Sequence, residues 1–204
     1  MTTIGPTVGG IILCGGRGRR IGTDKAWLRF GDEHLLQRMV RIVGDVVNPV
    51  VAAGREGQSL PALPEGVAIV YDAVDNAGPL AGVAAGMSFL DGRCEAAFVA
   101  ACDYPLLSSS LIHKLIGLLG DHQAVVVRDD RHLHPLLGVY RLSTRQTLSE
   151  LLNRRELRAG HFARQCQARV IPAADLTDVD PELRSLRNVN DQTAYEQVIR
   201  DLGE

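Results

Sequence analysis

Gly10-Ile11-Ile12-Leu13-Cys14, followed at once by Gly15-Gly16-Arg17-Gly18-Arg19-Arg20-Ile21-Gly22-Thr23-Asp24-Lys25, decides how the chain is read. Apolar and small residues in an unbroken run, with no polar alternation, read as a strand buried on both faces. Behind it comes a loop with four glycines, three arginines and a lysine. Glycines let backbone N–H groups approach an anion closely, and the cations neutralise it. The loop is not a Walker A loop, because no Gly-Lys-Ser/Thr follows. Nor is it the dinucleotide fingerprint, since Ile21 stands where the third glycine belongs. The competing reading is a surface loop whose arginines are simply solvated.

Outward from this stretch the same alternation continues. Strands are expected at 50–53, 68–71, 96–102, 124–128 and 136–140. A helix is expected at 34–43, where Leu35, Leu36, Met39, Val40 and Val43 recur at i, i+3, i+4 spacing. Further helices are expected at 82–90, with Pro79 near the start, and at 111–119 behind Ser108, Ser109 and Ser110. Ser143 and Gln146 have capping-box spacing for a helix to about 152, and Ala194, Val198 and Leu202 share one side of a C-terminal helix. Strands alternating with helices imply an α/β fold, a mostly parallel sheet with helices on both faces. In such sheets ligands gather outside the carboxyl ends of the strands. Gly15 and Asp103 both lie just past such an end. Asp103 closes the apolar run AAFVAAC at 96–102, which is poor strand chemistry but suits a magnesium ligand. Its alternative is a turn residue before Pro105.

The 204 residues fit a single domain, 1–204, with 1–8 as a disordered N-terminal tail. A hydrophobic share of 46% with 23% charged residues is a globular mix. The formal charge of −2 argues against a protein that coats nucleic acid, while a local basic loop suits a small phosphorylated ligand. Only Lys25 and Lys114 are lysines among 22 basic residues, so a point charge rather than a planar fork is wanted at 25. Cys14, Cys94, Cys102 and Cys166 form no C-x-x-C pair and read as idle thiols in a reducing cytoplasm. The uncharged first 16 residues lack a basic n-region and are too short and glycine-rich to span a membrane. His132 and His134 read as loop histidines without a third metal ligand.

Leu13 to Lys25 carries the pattern L-x-G-G-x-x-x-R-hydrophobic-G-x-D-K without a gap. In register behind it come Asp72, Gly78-Pro79-Leu80-Ala81-Gly82, Cys102-Asp103-Tyr104-Pro105, His134-Pro135 before a strand to Tyr140, and Asn188-Val189-Asn190. On these motifs the chain resembles the molybdenum cofactor guanylyltransferases (MobA-like nucleotidyltransferases) from about residue 9 to about 200. The resemblance implies a Rossmann-like nucleotidyltransferase fold and transfer of GMP from GTP to the terminal phosphate of molybdopterin, releasing pyrophosphate, with Mg²⁺ as cofactor. It also implies acceptor molybdoenzymes or their chaperones as partners.

Carried over residue by residue, Leu13, Cys14, Gly15 and Gly16 line the nucleotide through their backbone. Lys25 reaches the phosphates and Arg20 adds charge against the leaving pyrophosphate, with Arg17 and Arg19 as helpers or plain surface. Asp72 positions the nucleotide, and Gly78 and Gly82 let the chain pass close to base or ribose. Asp103 holds the metal and Asn190 completes the metal or phosphate site. Two departures stand out: Cys14 replaces the family's usual Ala, and Ala52 and Ala53 stand where an Asn often contacts the nucleotide. Cytidylyltransferases of this fold usually show L-A-A-G and D-Q-P instead. The alternatives are CTP-dependent or sugar-phosphate nucleotidyl transfer on the same fold, and a non-catalytic paralogue that binds nucleotide or cofactor.

Overall fold

The computed structural model describes residues 6–15, 24–72 and 78–202. In chain order the strands are β1 (Val8–Leu13), β2 (Arg29–Phe30), β3 (Glu33–His34), β4 (Val50–Arg55), β5 (Ala68–Asp72), β6 (Ala96–Ala101), β7 (Ala124–Arg128), β8 (Leu133–Arg141) and β9 (Arg169–Pro172). The helices are α1 (Leu35–Gly44), α2 (Pro79–Leu90), α3 (Ser109–Gly117), α4 (Arg145–Asn153), α5 (Ala159–Gln165) and α6 (Gln192–Leu202). One seven-stranded sheet runs β5-β4-β1-β6-β8-β7-β9, and only β8 is antiparallel to its neighbours. β2 and β3 form a separate small ribbon.

Burial follows from the period-2 alternation of side chains along the strands. Ile12, Ala52, Phe98, Ala100, Val125 and Val139 join one core layer with residues of α1, α3 and α6. Ile11, Leu13, Val51, Val99 and Val126 join the other with α2, α4 and α5. The mostly parallel sheet with helices on both faces is therefore what the alternation implied. α2 lies so close to β1 that a Cβ on Gly86 would sit 2.6 Å from Cγ2 of Ile11. Glycine is what lets helix and sheet meet there.

Several local expectations are corrected. Thr7 and Val8 are not tail: Val8 opens β1, and the Thr7 carbonyl accepts from the N–H groups of Glu95 and Ala96. The capping box at 143–146 does not form. Leu142–Thr144 make a one-turn 3₁₀ helix, Ser143 Oγ donates to Gln123 Oε1, and α4 starts at Arg145. β8 begins earlier than expected, at Leu133. The register with β7 jumps from Gly138 opposite Val126 to His134 opposite Val127, and Pro135 falls in that irregularity, where its missing N–H costs no ladder bond. α5 and β9 had no clear periodic signal. α5 is seven residues long, with Phe162 and Ala163 its buried residues, and β9 buries only Ile171.

Candidate active site

The carboxyl ends of the parallel strands lie side by side: Leu13 pairs with Ala101 on one flank and Ala53 on the other, and Arg55 pairs with Asp72. Cys14 continues past β1, with its N–H donating to the Ala53 carbonyl at 2.9 Å, while the Cys102 N–H donates to Leu13 at 2.9 Å. After Gly15, Asp24 is the next described residue. Its Oδ1 accepts from the Ala26 N–H at 3.1 Å and so caps the single 3₁₀ turn Lys25–Trp27.

Lys25 is thereby aimed across the end of β6. Its Nζ lies 3.0 Å from Asp103 Oδ2 and 2.9 Å from Asn190 Oδ1. Both ion-pair side chains keep only 19% of their surface exposed. Three residues from three distant parts of the sequence thus meet at one point. The loop carrying Asp103 is tied down by bonds on three sides. The Val189 N–H donates to the Asp103 carbonyl at 2.8 Å, Arg38 Nε donates to the Pro105 carbonyl at 2.7 Å, and the Tyr104 hydroxyl lies 3.0 Å from His134 Nδ1.

His134 is a correction. It is a buried strand residue, not a loop histidine, and its second ring nitrogen lies 2.9 Å from Asp129 Oδ2. Burial pushes the Asp129 carboxyl up, but hydrogen bonds from His134 and from the backbone of His132 and Arg131 outweigh it and bring the pKa down to about 2. Burial, with the charges of Asp103 and Asp129 behind it, pushes the Tyr104 phenol well above its ordinary value. Both ring nitrogens of His134 are engaged, so the ring holds Tyr104 in place rather than offering a base. His132 does lie in a loop.

The remaining expected residues divide. Leu13, Cys14 and Gly15 are at the strand end as anticipated, and a Cβ on Gly15 would sit 3.1 Å from Arg55 Cγ. Gly16, Arg17, Arg19 and Arg20 lie outside the described residues. Asp72 closes β5 opposite Arg55, two strands away from β1 in the sheet. Gly78 caps α2 with φ 65°, a backbone shape that favours glycine. Gly82 is buried, and its missing Cβ would meet Leu13 Cδ2 at 3.1 Å and Ala53 Cβ at 3.5 Å. Its close approach is to the sheet. Ala52 and Ala53 are buried too.

Burial, then the charge of Asp24, pushes the Cys14 thiol up to about 12, and burial pushes Cys102 well above its usual value. Both are protonated at neutral pH and are not nucleophiles. Sequence reasoning missed Gln58 and Asp129, and it named Tyr104 only as part of a motif, without its bond to His134. Gln58 reaches Cys14 44 residues away and Asp129 meets a buried strand histidine at His134, contacts that no local pattern announces.

Asp103 and Asn190 present hard oxygens to a single cationic point, the donor type that Mg²⁺ takes. Among the described residues no three His, Cys, Asp or Glu side chains gather around a common metal position.

A family model described as "MobA-like NTP transferase domain" matches residues 10–170, most of the chain. The chain belongs to the MobA-like NTP transferase family. Over 205 aligned residues it is 32% identical to "Probable molybdenum cofactor guanylyltransferase" of Methanosarcina acetivorans, covering 93% of this chain and 88% of that one. Among solved structures it is similar to molybdopterin-guanine dinucleotide biosynthesis protein A from Archaeoglobus fulgidus, with TM-score 0.79, 20% identity, and coverage of 96% and 98% of the two chains. It is also similar in fold to 2-C-methyl-D-erythritol 4-phosphate cytidylyltransferase from Thermus thermophilus, with TM-score 0.69, 15% identity, and coverage of 95% and 99%. Both structural likenesses show the Rossmann-like nucleotidyltransferase fold. This MobA-like chain has, among its described residues, no helix long and apolar enough to cross a membrane.

Proposed function

We propose that the protein transfers GMP from GTP to the terminal phosphate of molybdopterin, releasing pyrophosphate. The observation that carries the reading is the meeting of Lys25, Asp103 and Asn190 at the carboxyl end of the sheet. The relatives named as molybdenum cofactor guanylyltransferases give it its substrate.

An acceptor phosphate oxygen attacks the α-phosphorus. A new P–O bond forms there as the bond to the β-phosphate breaks and pyrophosphate leaves with the electron pair. The chain's task is to hold the phosphates in line and neutralise growing charge. Lys25 does this as an ammonium point charge, and the Cys14 and Gly15 backbone flanks the nucleotide. Asp103 and Asn190 would hold Mg²⁺, which when bound supplies Lewis-acid charge to the phosphate oxygens. Two observations suit direct transfer without a covalent enzyme intermediate: the thiols beside the site are buried, and both ring nitrogens of His134 are engaged. Arg20 adds charge at the leaving pyrophosphate and Asp72 orients the nucleotide. Four free thiols suit a reducing cytoplasm as the place of action.

The test is incubation with molybdenum cofactor, magnesium and each of the four NTPs, identifying the dinucleotide formed. GTP should be preferred over CTP by at least about tenfold in kcat/KM, roughly 1.4 kcal/mol. A site that hydrogen-bonds one base leaves buried groups unpaired with the other. Equal use of both, or a preference for CTP, removes the guanylyl assignment and leaves nucleotidyl transfer standing.

A further inference from the structure

Gln58 lies in the turn after β4, and it is buried to 9% exposure although glutamine is ordinarily a surface residue. Its amide is fully used. Nε2 donates to the Cys14 carbonyl at 2.9 Å and to Asp24 Oδ2 at 2.7 Å, while Oε1 accepts from the Arg55 N–H at 2.9 Å. These three partners are the first residue past β1, the residue capping the turn that bears Lys25, and the last residue of β4. A primary amide is suited to this because it offers two donors and an acceptor in one plane. A second tether runs in parallel, from Trp27 Nε1 to the Ser59 carbonyl at 2.9 Å.

We propose that Gln58 is a positioning residue for nucleotidyl transfer. It joins the strand end at Cys14 to the Asp24 cap and so sets where Lys25 stands against Asp103 and Asn190. Gln58 acts through Asp24: one carboxylate oxygen is fixed by the amide, and the other caps the turn at Ala26. Without the amide, the Cys14 carbonyl loses its side-chain donor, and Asp24 Oδ2 keeps only a long 3.8 Å pair with Arg55, so the turn that bears Lys25 is held less firmly. The buried bond network makes this steep, because each group left unmatched is costly to bury. The effect on turnover rests on the nucleotidyl-transfer reading, whereas the effect on Lys25 does not.

The chain's two lysines make a direct test available. Lys114, in the last turn of α3 and paired with Asp178, serves as the internal control for the rate of reductive methylation of Lys25, read by peptide mass spectrometry. In Gln58→Met, of similar shape but unable to donate, the Lys25:Lys114 labelling ratio should rise at least about threefold. With GTP and cofactor, kcat should fall about tenfold while KM for GTP stays within threefold. Gln58→Glu supplies a second arm: its carboxylate faces the Asp24 carboxylate and the Cys14 carbonyl, with the Arg55 guanidinium 3.8 Å from Asp24 offsetting only part of that repulsion, so both defects should shrink from pH 8 to pH 6 as it takes up a proton. Melting curves confirm that each variant is folded at the assay temperature. An unchanged labelling ratio, a kcat within twofold of wild type, or a Gln58→Glu defect indifferent to pH overturns the proposal. If the wild-type protein transfers no nucleotidyl group, the proposed function falls, and the labelling ratio and its pH dependence alone judge Gln58.

Discussion

Replacing Lys25 with alanine separates catalysis from folding, because the structure sets different magnitudes for each. The ammonium makes two charge-assisted contacts, at 3.0 Å to Asp103 and 2.9 Å to Asn190, with one fifth of the ion pair's surface still open to water. Fully exposed pairs contribute about 0.2–1 kcal/mol and hydrogen bonds to charged groups about 1.5–3 kcal/mol, so a partly screened pair belongs near 1–2 kcal/mol. Water can reach the Asp103 carboxylate left behind, which keeps the loss below that of a truly buried pair. For a chain of this length such a loss lowers the melting midpoint by about 2–8 °C. That exceeds the near-zero cost expected of an exposed loop. In the transition state the same ammonium faces developing phosphate charge, where removing one oriented donor costs on the order of 2.7–4 kcal/mol, or about 10²–10³ in kcat. Turnover at saturating GTP, measured beside a melting curve, decides the matter. A Lys25→Ala protein within threefold of wild-type kcat would refute the assignment of Lys25 to the phosphates. Loss of turnover matched by loss of fold would refute the separation of the two roles.

Asp103→Asn keeps the contact to Lys25 but removes the charge, so half-maximal activity should need at least about tenfold more magnesium in a folded protein; an unchanged magnesium requirement would move the metal elsewhere. Gly86→Ala pushes a methyl to within 2.6 Å of the Ile11 side chain and should cost about 1–3 kcal/mol by overpacking, read in a denaturant melt. Thiol labelling at pH 8 should leave Cys14 and Cys102 unmodified in the native protein while all four cysteines react in denaturant; fast native labelling of Cys14 would contradict its burial. The same raised pKa has a sign for stability: Cys14 stands at about 12 when folded against 9.0 in the unfolded reference. Its burial therefore favours the fold fully below about pH 9 and withdraws that support as pH rises toward 12, so urea midpoints should fall over that range.

Residues 10–14 and 96–102 are short unbroken apolar runs, each followed by a Gly- or Pro-containing stretch, the pattern of a strand buried on both faces, so β1 and β6 were legible locally. The rhythm of α1 and the proline before α2 were legible for the same reason: a single period or a single cap sets them. Asp103 was legible as chemistry because a carboxylate directly past an apolar strand is conspicuous, and Lys25 because a lone lysine closes a glycine- and arginine-rich loop. The sequence alone could not say that Lys25, Asp103 and Asn190 meet, because 78 and 165 residues separate Lys25 from its partners. Nor could it say that Gly82 serves helix–sheet packing. His134 became a buried link only once β8 was threaded antiparallel between β6 and β7, bringing Tyr104 and Asp129 to its two nitrogens. Gln58 is the sharpest case. A lone polar residue in a turn carries no local signal, and its burial exists only because strand register puts Cys14, Arg55 and Asp24 within reach of one amide. Local periodicity sets elements, but contacts between distant polar groups depend on how those elements pack.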